Sequence, residues 1–250
     1  MTSSPPSTGR EKRPRTALVT GAGRRLGRAI AVALGARGMR VAVHYHGAEQ
    51  GAQETVREIE KGGGTGITVR ADLRRPDAPA RLVAEVVDRL GSLDLLVNSA
   101  AVMVRTPFED VTPDVWDEIF ALNLRAPFFC AQAAAARMRD GGVIINIADL
   151  AAFEPWTGYM PHGASKAGVV HLTRALAKHL APRIRVNAIA PGAVLLPDEW
   201  TAAEAERLIR TTPLGRLGSP DDVTRALLYL VDADYVTGQT IIVDGGRHVR

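Results

Sequence analysis

The feature that most limits what this chain can become lies near its start. Residues 16–20 read TALVT, followed at once by GAGRRLG and then by an alanine-rich stretch over 28–37. A short apolar run with β-branched members suits a buried strand, and helical apolar spacing takes over afterwards, so the order is strand, glycine turn, helix. Gly21, Gly23 and Gly27 let the backbone turn tightly and approach a phosphate group, whose charge the following helix N-terminus stabilises. The spacing is G-x-G-x-x-x-G, which a purely structural turn would satisfy equally well.

The same alternation runs through the chain. Strands are expected at 39–45 (MRVAVHY), 66–70, 93–97, 143–148 and 185–190, with a last one inside VTGQTIIVDGG. Helical patterns fall between them, over 49–61, 76–90, 113–139 and from Pro161 to about 180, while 195–212 is the most polar and least patterned region. Strands alternating with helices predict an α/β, Rossmann-type doubly wound parallel sheet of about seven strands, with helices on both faces and ligands at the carboxyl ends of the strands. A chain of 250 residues with 46% apolar content can bury one sizeable core. The expected organisation is a tail over 1–14, disordered, and one domain over 15–250.

Charge and cysteine usage exclude several functions. The net charge is +4, but Arg10, Glu11, Lys12, Arg13 and Arg15 alone supply +3 of it, as four bases less one acid. The remainder is near neutral, without the basic stripe that a nucleic-acid partner needs. Cys130 is the single cysteine, so no intrachain disulfide forms and a reduced compartment fits. The first fifteen residues hold no apolar signal core, and no run approaches the ~20 apolar residues of a membrane span. A cytoplasmic protein acting on a small molecule is the expectation.

Chemistry concentrates in 142–170, GVIINIADLAAFEPWTGYMPHGASKAGVV. Asp149 stands where the strand stops, facing a crevice. Pro161 suits the first turn of a helix, which puts His162 and Lys166 four apart on one face. Tyr159 lies seven residues before Lys166, about 10 Å along a continuous helix. The loop that precedes Pro161 lets it bend inward instead.

These residues carry a resemblance. An N-I-x-S motif, then thirteen residues to the tyrosine of Y-x-x-x-K, marks the short-chain dehydrogenase/reductases, and this chain resembles them with Asn146, Asp149, His162 and Lys166 in those slots. Thr20, Gly21 and Gly27 match the family's T-G-x-x-x-G-x-G, with Arg25 at the middle glycine. Aspartate for serine, the basic pair Arg24-Arg25 before Leu26-Gly27, the His44-Tyr45-His46 strand end and the chain terminus are similar to the pteridine and dihydromonapterin reductases. Histidine in the tyrosine slot departs from both patterns.

The resemblance implies an NADP(H)-dependent oxidoreductase reducing the carbonyl or imine of a small molecule, with a pteridine as one candidate. The alternatives are a 3-ketoacyl reductase, or a dinucleotide-binding protein with little turnover serving as a sensor or partner subunit. It implies that Gly21, Arg24, Arg25, Leu26 and Gly27 meet the cofactor, with Arg24 and Arg25 beside a 2′-phosphate. Tyr45 and His46 close the second strand without the acid that selects NAD. Asp72 and Leu73 cap the adenine, and Asn98, Ser99, Ala100, Pro191, Gly192 and Lys166 line the remainder. Asn123 would distort its helix and hold a water near Lys166. Trp200 would either stack on a planar substrate or cover core. The resemblance also implies a homotetramer paired through the 113–139 and 161–180 helices. No metal site is expected, since His44 and His46 lack a third ligand. Lys166 serves a phenol by lowering its pKa from about 10, whereas the same cation makes imidazolium harder to keep, so Asp149 is the group that would restore it.

Overall fold

The computed structural model describes residues 16–196 and 201–249. Its strands are β1 (Thr16–Val19), β2 (Arg40–Tyr45), β3 (Thr65–Arg70), β4 (Leu95–Asn98), β5 (Gly142–Ile147), β6 (Ile184–Pro191) and β7 (Thr240–Val243). All pair in parallel, in the order β3-β2-β1-β4-β5-β6-β7. The expected doubly wound sheet forms. Its order reverses between β1 and β4, so the loops leaving those two strands part and open a crevice at their carboxyl ends.

The helices are α1 (Arg25–Ala36), α2 (Glu49–Lys61), α3 (Ala78–Leu90), α4 (Pro113–Phe120), α5 (Ala126–Arg137), α6 (Met160–Leu180), α7 (Ala202–Thr211) and α8 (Pro220–Asp232). The two-residue period of the strands divides the core between them. Ala17, Val19, Val41, Val43, Val143 and Ile145 face α1, α2 and α8, while Leu18, Ala42, Leu96 and Ile144 face α3, α5 and α6. Each fully buried Val, Leu or Ile contributes about 1.5–3 kcal/mol, so both faces of every central strand favour the same register.

Three expectations need correction. The single helix over 113–139 is interrupted by a π-helical turn, Ala121–Arg125, which carries Asn123. By length and composition Pro113–Arg137 could cross a bilayer, but half of it is buried inside the fold as a core helix. The unpatterned 195–212 region contains α7, which buries only Leu208 and begins with a capping box of Thr201 and Glu204. The expected tail, together with Arg15, Asp198, Glu199 and Trp200, lies outside the described residues.

Candidate active site

Asp149 follows the end of β5 in extended backbone, and its Oδ1 accepts from the Ala151 amide at 2.8 Å, capping the short turn Leu150–Ala152. That leaves Oδ2 turned toward the first turn of α6, 3.6 Å from Nε2 of the buried His162. One turn further on, the Lys166 ammonium donates to the Ile147 carbonyl at 2.7 Å. Burial pushes Lys166 down to about 8, with the Asp149 charge opposing the shift. Asp149, His162 and Lys166 therefore come together as the sequence suggests.

Asn123 joins them directly: its Nδ2 lies 3.3 Å from His162 Nδ1 and donates to Ser165 Oγ at 3.2 Å. In the π turn its side chain turns inward, accepting from the Val102 amide at 2.9 Å through Oδ1 and donating to the Val102 carbonyl at 2.9 Å through Nδ2. The same carbonyl lies 3.1 Å from His162 Nδ1. The two Asn123 Nδ2 hydrogens are taken by the Val102 carbonyl and Ser165 Oγ, and a carbonyl only accepts, so Nδ1 carries the proton and donates to Val102; the tautomer is assigned from its partners. Nε2 is then the ring atom left for chemistry, and it is buried with no hydrogen-bond partner. In the neutral ring its lone pair confronts a carboxylate; protonated, it faces an acceptor.

Tyr159 is not brought into this cluster. Its ring stands edge-on to Trp156 with centroids 6.3 Å apart, and the indole is anchored by a 2.9 Å bond to Glu154. No hydrogen bond ties Tyr159 to the cluster among the described residues. The loop carrying it is joined to the loop after β4 by the Thr106 amide on the Gly158 carbonyl at 2.8 Å. Met103, Val104, Phe108 and Met160 stand exposed on these two segments, giving an apolar collar around the crevice.

On the other side, the glycine turn is held from three directions. Thr20 Oγ1 accepts from the Ser99 and Ala100 amides at 2.9 and 3.0 Å, fixing the turn after β4. The Gly21 amide donates to His44 Nδ1 at 3.0 Å, and His44 Nε2 donates to the Ala71 carbonyl at 3.1 Å. Burial keeps His44 neutral, down to about 4. A Cβ on Gly21 would come within 2.8 Å of Ala100 Cα, and one on Gly27 within 2.3 Å of the Gly21 carbonyl, so these glycines serve close backbone packing. Gly23 serves α2 rather than the crevice, since a Cβ there would meet the Ala48 carbonyl at 2.8 Å.

Strand alternation sends the side chains of several residues expected at the cofactor inward. Tyr45 points into the core beneath α1, and Leu73 packs with α3. Leu26 packs against the α1-side core. Asn98 donates inward to Asn146 Oδ1 at 2.9 Å, which continues to Thr173 at 2.9 Å. Gly192 is pressed on the end of β7, its amide donating to the Val243 carbonyl at 2.9 Å. Pro191 is the buried last residue of β6.

His46 remains exposed at the tip of β2, with the Arg74 guanidinium 3.4 Å from its ring. Arg74 is the neighbour that sequence order conceals. It forks onto both oxygens of Asp72 at 2.9 and 3.0 Å and reaches Glu118 at 2.8 Å, holding the Asp72 carboxyl below the usual carboxylate range. Of the basic pair, Arg24 is exposed, whereas Arg25 reaches away from β2 to the Leu195 and Leu196 carbonyls at 2.8 and 3.3 Å. Arg25 does so from φ 51, a left-handed conformation that costs a non-glycine residue about 1–3 kcal/mol.

A switch-point crevice, a glycine turn, and a half-buried acid at a strand end facing a buried histidine and lysine on α6 define a dinucleotide-dependent oxidoreductase of the doubly wound class. Comparison with known proteins gives the family: residues 21–248 match the protein-family model described as enoyl-(acyl carrier protein) reductase, and the chain belongs to the short-chain dehydrogenase/reductases. It is 39% identical over 245 residues to 3beta-hydroxysteroid dehydrogenase 1 of Eggerthella lenta, covering 93% of each chain. It is 36% identical to 3-oxoacyl-[acyl-carrier-protein] reductase FabG of Staphylococcus aureus, covering 95% of this chain and all of that one. Its fold superposes on angucycline C-6 ketoreductase LanV with bound NADP at a TM-score of 0.89, with 36% identity over 94% of this chain and 96% of the other.

The residues present fit the nicotinamide dinucleotide that this family implies. α1 begins without a side-chain cap and without an acid in its first turn, so its first amides are available to a diphosphate. β2 ends without an acid at His46, where a carboxylate would select against a 2′-phosphate.

Proposed function

We propose that the protein is an NADPH-dependent reductase of a small-molecule ketone and that the His162–Asp149 pair carries its proton. The single observation behind this is the orphaned Nε2 of His162, buried and facing Asp149 Oδ2 at 3.6 Å while Nδ1 is fixed on Val102. Bound NADPH supplies the hydride. His162 supplies the proton from Nε2, and only as imidazolium, because the neutral ring keeps its proton on Nδ1. Asp149 stabilises that imidazolium, Asn123 and Val102 orient the ring, and Lys166 offers an ammonium to the nicotinamide ribose and opposes the charge on His162. Run backwards, neutral His162 is a base for an alcohol. Arg24 and His46 would hold the 2′-phosphate, with Arg74 beside them, and Asp72 would cap the adenine.

The substrate class favoured is a neutral, flat, multi-ring ketone. Its support is the apolar collar of Met103, Val104, Phe108 and Met160, together with relatives named for a hydroxysteroid and an angucycline. Pteridine reduction rests on the resemblance carried by Asp149, the Arg24-Arg25 pair, the His44-Tyr45-His46 strand end and the chain terminus. A 3-ketoacyl reductase role is the second reading, favoured by full-length similarity to FabG. A reducing, cytoplasmic setting fits the lone buried Cys130, whose thiol burial pushes up to about 12. NADPH consumption against fused-ring ketones, pterins, diketones and acyl thioesters tests the assignment. Turnover of a fused-ring ketone supports it. If nothing turns over and His162→Tyr creates activity in an inert protein, the chain is a dinucleotide-binding protein instead.

A further inference from the structure

Arg25 is the one non-glycine residue with positive φ among the described residues, and it sits in the glycine turn at the first position of α1. A strained residue there persists only if its side chain gains something. What it gains is two carbonyls, Leu195 at 2.8 Å and Leu196 at 3.3 Å, in the segment that leaves β6 toward α7. The glycine turn follows the carboxyl end of β1 and residues 192–196 follow that of β6, and one guanidinium ties the two together at 195 and 196. Both acceptors are neutral, whereas a dinucleotide's diphosphate, bound at the first amides of α1, is anionic and starts beside the root of this side chain. An anionic acceptor adds a charge–charge attraction that the two neutral carbonyls lack, so the diphosphate would win the guanidinium.

We propose that Arg25 is a positioning residue that straps residues 195 and 196 to the glycine turn, and that a bound diphosphate releases the strap by taking the guanidinium. The proposal rests on the dinucleotide reading above. It separates the basic pair: Arg24 serves the 2′-phosphate, Arg25 the diphosphate and the strap.

The test uses a Leu196→Cys variant carrying an environment-sensitive dye; Cys130 is buried and will not label. Adenosine 5′-diphosphate should shift the dye emission while adenosine, which lacks phosphate, should not. With Arg25→Gly added, emission should start at the diphosphate-saturated value and respond no further. The same glycine substitution in the unlabelled protein should weaken NADPH and NADH by one common factor, about tenfold, leaving their ratio intact. Three results overturn the proposal: equal responses to adenosine and its diphosphate, an unchanged diphosphate response after Arg25→Gly, or a loss confined to NADPH. A lost NADPH preference in Arg24→Ala bears on the cofactor reading alone, so the two can fail separately.

Discussion

His44 offers the sharpest stability test because one buried ring ties the glycine turn to two strand ends. Its Nδ1 accepts from Gly21 and can do so only while unprotonated, and burial holds its pKa down from 6.5 to about 4. The folded pKa lies below the unfolded one, so the unfolded chain binds the proton first as pH falls. The ring's contribution is therefore complete above the unfolded value and is lost as pH drops toward 4. At about 1.4 kcal/mol per unit, the loss between about pH 7.5 and about pH 4.5 amounts to roughly 2–3 kcal/mol. His44→Phe keeps the volume, removes the titration and strands the Gly21 amide and the Ala71 carbonyl, at a cost of about 1–3 kcal/mol for each buried group. Urea unfolding of both proteins should show wild type ahead by a few kcal/mol at about pH 7.5, with that lead shrinking by roughly 2–3 kcal/mol at about pH 4.5. A lead independent of pH would refute the account of the turn.

Three further outcomes are expected. NADPH should bind at least about tenfold tighter than NADH, a difference of about 1.4 kcal/mol, and Arg24→Ala should erase most of the preference in a fluorescence titration. Lys166→Met should unfold at higher urea concentration than wild type near neutral pH yet bind NADPH more weakly, because the buried ammonium costs stability until it deprotonates. Since its folded pKa of about 8 lies below the unfolded 10.5, wild type recovers stability as pH rises between those values, and the variant's lead should shrink there. Trp116, Phe128 and Phe129 leave α4 and α5 with exposed aromatic surface, and light scattering at micromolar concentration should give a tetramer; a monomer would contradict it.

How much of this was legible in the sequence depended on whether a signal was local. β-branched runs and their two-residue period gave the strands, and α2 forms over the residues its pattern marks. Asp149, His162 and Lys166 were found because a strand end and a one-turn spacing bring them together. The inward turn of Asn98 and the core placement of Tyr45 were missed, because a motif names positions and not the face to which a side chain points. The contact between Arg74 and His46 spans 28 residues and the one between Arg25 and Leu195 spans 170. No local pattern encodes either. α7 and α8 left the capping signals T-x-x-E and S-P-D-D, which would have placed both starts.

The central claim is that His162, oriented by Val102 and faced by Asp149, does the work of the phenol found elsewhere in the family. The most direct measurement is kcat/KM for ketone reduction in wild type, His162→Ala, Asp149→Asn and Tyr159→Phe. His162→Ala and Asp149→Asn should each lose about 10²-fold or more, the usual scale of general acid catalysis, with NADPH affinity barely changed and Tyr159→Phe close to wild type. Full activity in His162→Ala or Asp149→Asn, or a loss confined to Tyr159→Phe, would contradict the claim.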